Sequence, residues 1–389
     1  QTWDGAAGSA SDIANPHADF AANQPIQLVV HGKGASERIW AACGTRAVYA
    51  SAVDSDNFVT GVVKIPIDTQ DSYGVIGLVE WKDTLWAFGK RQAFPIDDIS
   101  LTTSEWGYEN SPWNAGAGNH RLIVKTDNDL VVFTIDGDIY SVSAAIQTGD
   151  YKASSIARPA YIDRWIRENI DLSKIEQFHA CYDPSMRCIK FFMVRNGSSQ
   201  VDVCLPYFID RPVNEAWGAP HENTASNSGY KASCSALIRK AVGNYKIYTG
   251  DYLGFMWELE TANINDDSAA YRKGFTFPYI GLGNPIMTKM IDKGRIVTEP
   301  VGSWDISVDI WVDNILMSTQ TVSLTGTGDV LDSFVLDTDV LGGQYLIDES
   351  FPIGTTGKRI KGELYNTGIN QDFRISQVLI PYRNLGVRP

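Results

Sequence analysis

The chain has 389 residues, too many for one ordinary core and enough for two units. Its hydrophobic share of 44% and charged share of 20% exclude a disordered chain, and no apolar run approaches the roughly 18 residues of a membrane-spanning helix. A net charge of −13 disfavours ordinary binding to nucleic-acid phosphates, although a negative wall suits a passage along which DNA slides.

Residues 1–25 are small and polar and read as an N-terminal arm. Their start, Gln1-Thr2-Trp3-Asp4-Gly5, has no basic region and no apolar stretch, so no signal peptide is expected, and the missing Met points to a trimmed chain. Strand patterns follow at Ile26–His31, Arg38–Cys43 and Arg46–Ser51. The plan repeats at Val75–Glu80 and Thr84–Phe88, joined by the two-residue turn Lys82-Asp83, a hairpin signal. It repeats again around Leu130–Tyr140, with turns at Asp127-Asn128-Asp129 and Asp136-Gly137. Between the second and third units, residues 101–120 read as a loop carrying Trp106 and Trp113.

Tyr161–Ile170 is the one helix pattern, with Ile162, Trp165, Ile166 and Ile170 at helical spacing. Strands resume at Gln177–Tyr182, Cys188–Val194 and Gln200–Tyr207, and then at Ala232–Ile238, Lys246–Thr249 and Phe255–Leu259. A multi-strand unit recurring every roughly 40–50 residues is the pattern of a propeller blade. From about residue 272 the character changes, and Trp304–Asp313 alternates cleanly between apolar and polar positions. The expectation is an all-β chain with an arm at 1–25, a β-propeller of about five or more blades at 26–272, and a β-sandwich at 273–389, with one short amphipathic helix.

Chemical motifs are sparse. Cys43, Cys181, Cys188, Cys204 and Cys234 are odd in number, lack CxxC spacing and read as buried thiols of a cytosolic assembly. His17, His31, His120, His179 and His221 are scattered without zinc-ligand spacing. Asp127–Asp129, Asp136–Asp138 and Asn265–Asp267 lack the full register of a calcium loop and read as turns. There is no GxSxG and no third glycine after the Gly-x-Gly pairs. No Ser-x-Asp-x-Gly-x-Thr-Trp box occurs, and nothing pairs the two carboxylates that a glycosidase needs. No catalytic residue, metal or cofactor is therefore expected.

Ile39–Gly44 followed by Ala47–Ser51, then Glu80–Gly89, then Val132–Tyr140, resembles successive blades of the propeller proteins in short-tailed bacteriophage tails. Trp217, the Thr249-Gly250-Asp251 turn and the stretch from Phe275 to Lys289 follow in the same order. The likeness spans about residues 26–312 and extends more weakly to 383, and the large domains that some relatives insert between blades are missing. It implies a non-enzymatic virion protein of the tail hub, nozzle or head-to-tail ring, assembled in the host cytoplasm. The partners implied are further copies in a ring, expected as a hexamer, the portal, adaptor and fibres, and genomic DNA passing without specific binding. Ile162, Trp165, Ile166, Trp106 and Trp113 are then candidate subunit contacts, and Asp127, Asp129, Asp266 and Asp267 candidate lumen acids. The alternative is a carbohydrate-binding or glycan-cleaving propeller acting in receptor recognition, with loop tryptophans stacked on sugar rings.

Overall fold

The computed structural model describes residues 18–32, 36–55, 58, 62–69, 72–213, 215–222, 231–241, 244–261, 270, 272–299, 304–324 and 347–386. The chain divides into two compact units, Gln1–Thr261 and Ala262–Pro389. The division falls before the boundary expected at residue 272.

The first unit is a propeller in which five small antiparallel sheets follow one another. Blade one is β1 (Gln27–His31), β2 (Arg38–Ala42), β3 (Ala47–Ala50) and β4 (Val63–Pro66). Blade two is β5 (Gly77–Trp81), β6 (Thr84–Phe88), β7 (Ala93–Asp97) and β8 (Gly107–Tyr108). Blade three holds β9 (Ile123–Lys125), β10 (Leu130–Phe133) and β11 (Ile139–Ser141), and Ser155 bridges Tyr140 where a fourth strand would lie. Blade four is β12 (His179–Asp183), β13 (Cys188–Met193), β14 (Val203–Phe208) and β15 (His221–Glu222), and blade five is β16 (Ala232–Ala241), β17 (Asn244–Asp251) and β18 (Met256–Glu258). The first strand of each blade touches the first strand of the next: β1 meets β5, β5 meets β9, β9 meets β12, and β12 meets β16. First strands that neighbour one another in series are the inner strands of a propeller.

Local chemistry explains the hairpins. Lys82 and Asp83 both have positive φ, 51° and 60°, which twists the β5–β6 turn to match its strands and pairs Val79 with Trp86. The second strand then delivers an aromatic ring into the space between blades. Trp40, Trp86, Phe133 and Phe192 are all buried there, each contributing a few kcal/mol of apolar burial. Trp40 packs with Leu78, Leu85 and Phe94 of blade two, and Trp86 with Leu130 and Tyr140 of blade three. Phe133 and Phe192 share a third cluster with Ile247 of blade five.

Each of the expected subunit-contact residues packs against partners within its own chain. Trp113 is 2% exposed, stacks on Trp86 with centroids 6.1 Å apart, and donates its indole N–H to the Tyr140 hydroxyl at 3.3 Å. Trp106 stacks on Trp40 at 5.7 Å and donates to the Ser100 carbonyl at 2.7 Å. The expected helix spans Ile162–Asn169; its Ile166 is buried, and Ile162 and Trp165 pack on the same intrachain cluster. Trp113 and Ile166 are buried within their own chain, and Trp106, Ile162 and Trp165 are half-buried. Of the N-terminal arm, a turn of helix α1 (Asp19–Ala22) packs on blade one, where Asp19 accepts from the Tyr49 hydroxyl at 2.8 Å and from Lys64 at 2.7 Å. Residues 1–17 lie outside the described residues.

A second helix, α2 (Val142–Thr148), was not expected, although its signals are local. The Ser141 hydroxyl accepts from the Ala144 N–H, and Gly149 closes the helix at φ 69°. Ile162–Asn169 is therefore α3. Of the five thiols, Cys43, Cys181, Cys188 and Cys204 are buried as expected, while Cys234 is exposed. In the β12–β13 hairpin Cys188 faces Asp183 and Cys181 faces Lys190, so the two thiols are not opposite one another.

The second unit is the β-sandwich. One sheet orders β19 (Lys273–Ile280), β24 (Ile360–Asn366), β21 (Asp305–Val312) and β22 (Ile315–Ser323). The other orders β23 (Ile347–Gly357), β20 (Thr288–Glu299) and β25 (Arg374–Leu379), with β26 (Arg383–Gly386) also on β20. The alternation of β21 buries Ile306, Val308, Ile310 and Val312 against Ile296 and Phe351 of the facing sheet. Gly294 lets that sheet close on the ring, since a Cβ there would lie 2.2 Å from a Phe351 carbon.

Candidate functional site

The inner strands run from one face of the propeller to the turns that join them to the second strands. At the turn face sit two of the expected lumen acids. Asp127 accepts from the Tyr182 hydroxyl at 2.8 Å and from Arg187 at 3.0 Å, and Arg187 also grips Asp210 at 2.6 Å. Burial first, and the Asp127 carboxylate second, push the Tyr182 phenol up. Asp129 accepts main-chain N–H groups of Leu130 at 2.7 Å and of Ser143 at 3.1 Å. These acids clasp blade three to blade four and tie down the start of α2; they do not stand free along a channel. Glu80 is likewise neutralised by Lys125 at 2.8 Å, across inner strands β5 and β9. Asp266 and Asp267 lie outside the described residues.

The opposite face carries the candidate site. Arg121 stands just ahead of β9, Glu176 and Gln177 just ahead of β12, and Ser233 near the start of β16. Ser199 and Gln200, from the turn between β13 and β14, and Tyr252, from the turn between β17 and β18, complete a pocket of about 390 Å³. Three successive blades thus converge on it, because in a propeller the inner-strand starts and the second turns lie on one face.

Its side chains are held in place. Arg121 donates to the Ser233 carbonyl at 3.1 Å and to the Glu176 carbonyl at 2.7 Å. The Glu176 carboxylate accepts from Lys90 at 2.6 Å. The Tyr252 hydroxyl accepts from the Val201 N–H at 3.3 Å, which pins a ring that is 37% exposed. A pocket of this size lies in the roughly 300–1,000 Å³ range of small-molecule sites. It offers a guanidinium, a carboxylate, two amides, two hydroxyls and an aromatic face.

Behind the pocket, His179 of β12 sits buried between the Ser235 hydroxyl and the Ala232 carbonyl, each at 2.9 Å. Burial pushes its pKa down to about 4, with the Arg121 charge adding in the same direction. His120, also lowered chiefly by burial, has the same sign. The unfolded chain takes up a proton on His179 below about pH 6.5, whereas the folded chain resists it until about pH 4. Stability from this residue is therefore complete above pH 6.5 and is lost as pH falls toward 4, by on the order of 3 kcal/mol. Urea unfolding across that window is expected to show a steep pH slope that His179→Gln flattens. An unchanged slope in the variant would contradict this assignment.

Among the described residues no group of three His, Cys, Asp or Glu side chains could hold a metal ion. The pocket holds one carboxylate, Glu176, where hydrolysis of a glycosidic bond uses two. None of its residues stands out in the sequence. They sit in separate turns, and the signal they share is position, ahead of a first strand or after a second one.

No family model and no curated protein matches the chain. Solved structures that resemble it include an exo-β-1,3-galactanase from Phanerochaete chrysosporium, at 7% identity and TM-score 0.29, covering 91% of this chain and 95% of that one. A glycoside hydrolase family 43 arabinoxylan arabinofuranohydrolase from Bacillus subtilis aligns at 10% identity and TM-score 0.25, covering 96% of this chain and 69% of that one. The expectation of a non-enzymatic virion tail ring is corrected to this extent: the solved structures found are glycoside hydrolases, with no virion tail protein among those named here. At such TM-scores the likeness transfers neither an activity nor a residue role to this chain, and function has to be argued from the pocket.

Proposed function

We propose that this protein is a glycan-recognising propeller whose saccharide site is the pocket at the starts of the inner strands. The observation that carries the reading is the convergence of Arg121, Glu176, Gln177, Gln200 and a pinned, half-exposed Tyr252 ring from three blades. Vicinal sugar hydroxyls both donate and accept, so planar amides, carboxylates and guanidinium groups satisfy them in pairs. The apolar face of a sugar ring covers an aromatic side chain whose hydroxyl is already bonded.

Calorimetry against an oligosaccharide panel tests the proposal. Binding is expected in the wild type, with a loss of about tenfold or more in Tyr252→Ala and in Gln200→Ala, as removal of a contact worth about 1.4 kcal/mol implies. Hydrolysis of the same saccharides is measured in parallel, and cleavage abolished by Glu176→Gln would place that carboxylate in the chemistry. If no saccharide binds or is cleaved, or if both variants bind like the wild type, the site is elsewhere and the proposal fails.

A further inference from the structure

Resting on the glycan reading, we infer that the pocket selects a saccharide bearing a carboxylate, a uronic-acid unit, over its neutral counterpart. Two charges of opposite sign line the pocket, and they are not in the same state. Glu176 is matched by Lys90 at 2.6 Å. Arg121 is not matched: its two terminal nitrogens donate to main-chain carbonyls, and no carboxylate of the described residues lies within ion-pair distance of it. In a chain of net charge −13, with 46 acidic against 33 basic residues, an arginine in a pocket whose one carboxylate is already paired to a lysine is a placed charge. His120 and His179 both register its field, which adds to burial in disfavouring their protonation.

The geometry narrows the anion. Two carbonyl oxygens hold the guanidinium plane fixed, and those two bonds use two of its five N–H donors. A planar fork with donors remaining matches a planar carboxylate in two-point contact better than a compact ammonium would. Gln177 and Gln200 are left for the hydroxyls and Tyr252 for the ring face. Sulfated sugars share the negative charge but not the planar two-oxygen shape, so they form a separate arm of the test.

Calorimetry with three matched sets decides the question: uronic-acid oligomers of several epimers, the same oligomers reduced at the carboxyl to neutral sugars, and sulfated neutral oligomers. The acidic oligomers are expected to bind at least tenfold more tightly than their reduced partners at low salt. The gap should narrow as salt screens the pair. Arg121→Gln is expected to erase the ratio between acidic and reduced oligomers, whatever it costs both in affinity, and Arg121→Lys to keep only part of that ratio. The wild-type comparison of acid with reduced oligomer and its salt dependence need no variant, so misfolding of Arg121→Gln would leave the test intact. Equal or tighter binding of the neutral oligomers overturns the inference and leaves the glycan reading standing. Preference for sulfated oligomers over uronates overturns the carboxylate assignment. Absence of binding in all three sets sinks the glycan reading, and this inference with it.

Discussion

Glu260→Ala is expected to destabilise the propeller by about 3–5 kcal/mol, the cost of leaving a buried charge without its partner. Lys190 lies mid-strand in β13, opposite Cys181 of β12 and Pro206 of β14, and is 1% exposed. Its ammonium is an ion pair with Glu260, just past β18, so the bond ties blade five to blade four. Glu260 holds a left-handed backbone, φ 55°, and its carbonyl accepts from Lys246 at 3.1 Å, so the carboxylate is delivered by a constrained turn. Pairing does not make the bridge a net source of stability, because desolvation of both ions offsets their attraction. The double variant Lys190→Met with Glu260→Leu is therefore expected near wild-type stability, well above Glu260→Ala. Urea denaturation of the three proteins checks this. A loss below about 1 kcal/mol in Glu260→Ala would mean that water reaches the ammonium.

Trp113→Ala is expected to cost about 3–5 kcal/mol, the range for truncating a large buried aromatic. The ring fills the interface between blades two and three, against Trp86 and Tyr140. Tyr140 would keep a partner, since its hydroxyl also donates to the Ala115 carbonyl at 3.2 Å. The loss is thus packing and cavity rather than an orphaned hydroxyl, and Trp113→Phe should recover more than half of it. Thermal unfolding measures both variants. A Trp113→Ala protein that unfolds like the wild type would show that this interface can collapse around the gap.

Short-range patterns were enough for the first two strands of most blades and for β21, whereas β8, inside a stretch that reads as loop, and β22 to β24 are not legible in them. The Lys82-Asp83 turn, the β21 alternation and the aromatic placed in the second strands of blades one to four act between near neighbours in the chain. The α2 cap is equally local, with Ser141 as N-cap and Gly149 at its end. Loop tryptophans were ambiguous because exposure is a property of the assembled blades: Trp106 and Trp113 become core only when Trp40 and Trp86 come to face them. The acids at Asp127 and Asp129 could not be assigned because their partners Tyr182, Arg187 and Ser143 belong to other turns.

The candidate site belongs wholly to tertiary structure. Arg121 meets the Ser233 carbonyl across 112 positions, and Lys90 meets Glu176 across 86. No local periodicity encodes such meetings, because they follow from the angle at which whole blades pack. The residue types along the chain decided what folds, through the burial of a second-strand ring in blades one to four and through alternating strands. Which polar groups came to share a pocket, and which charge was left unmatched there, was decided by the closing of blades three, four and five around it.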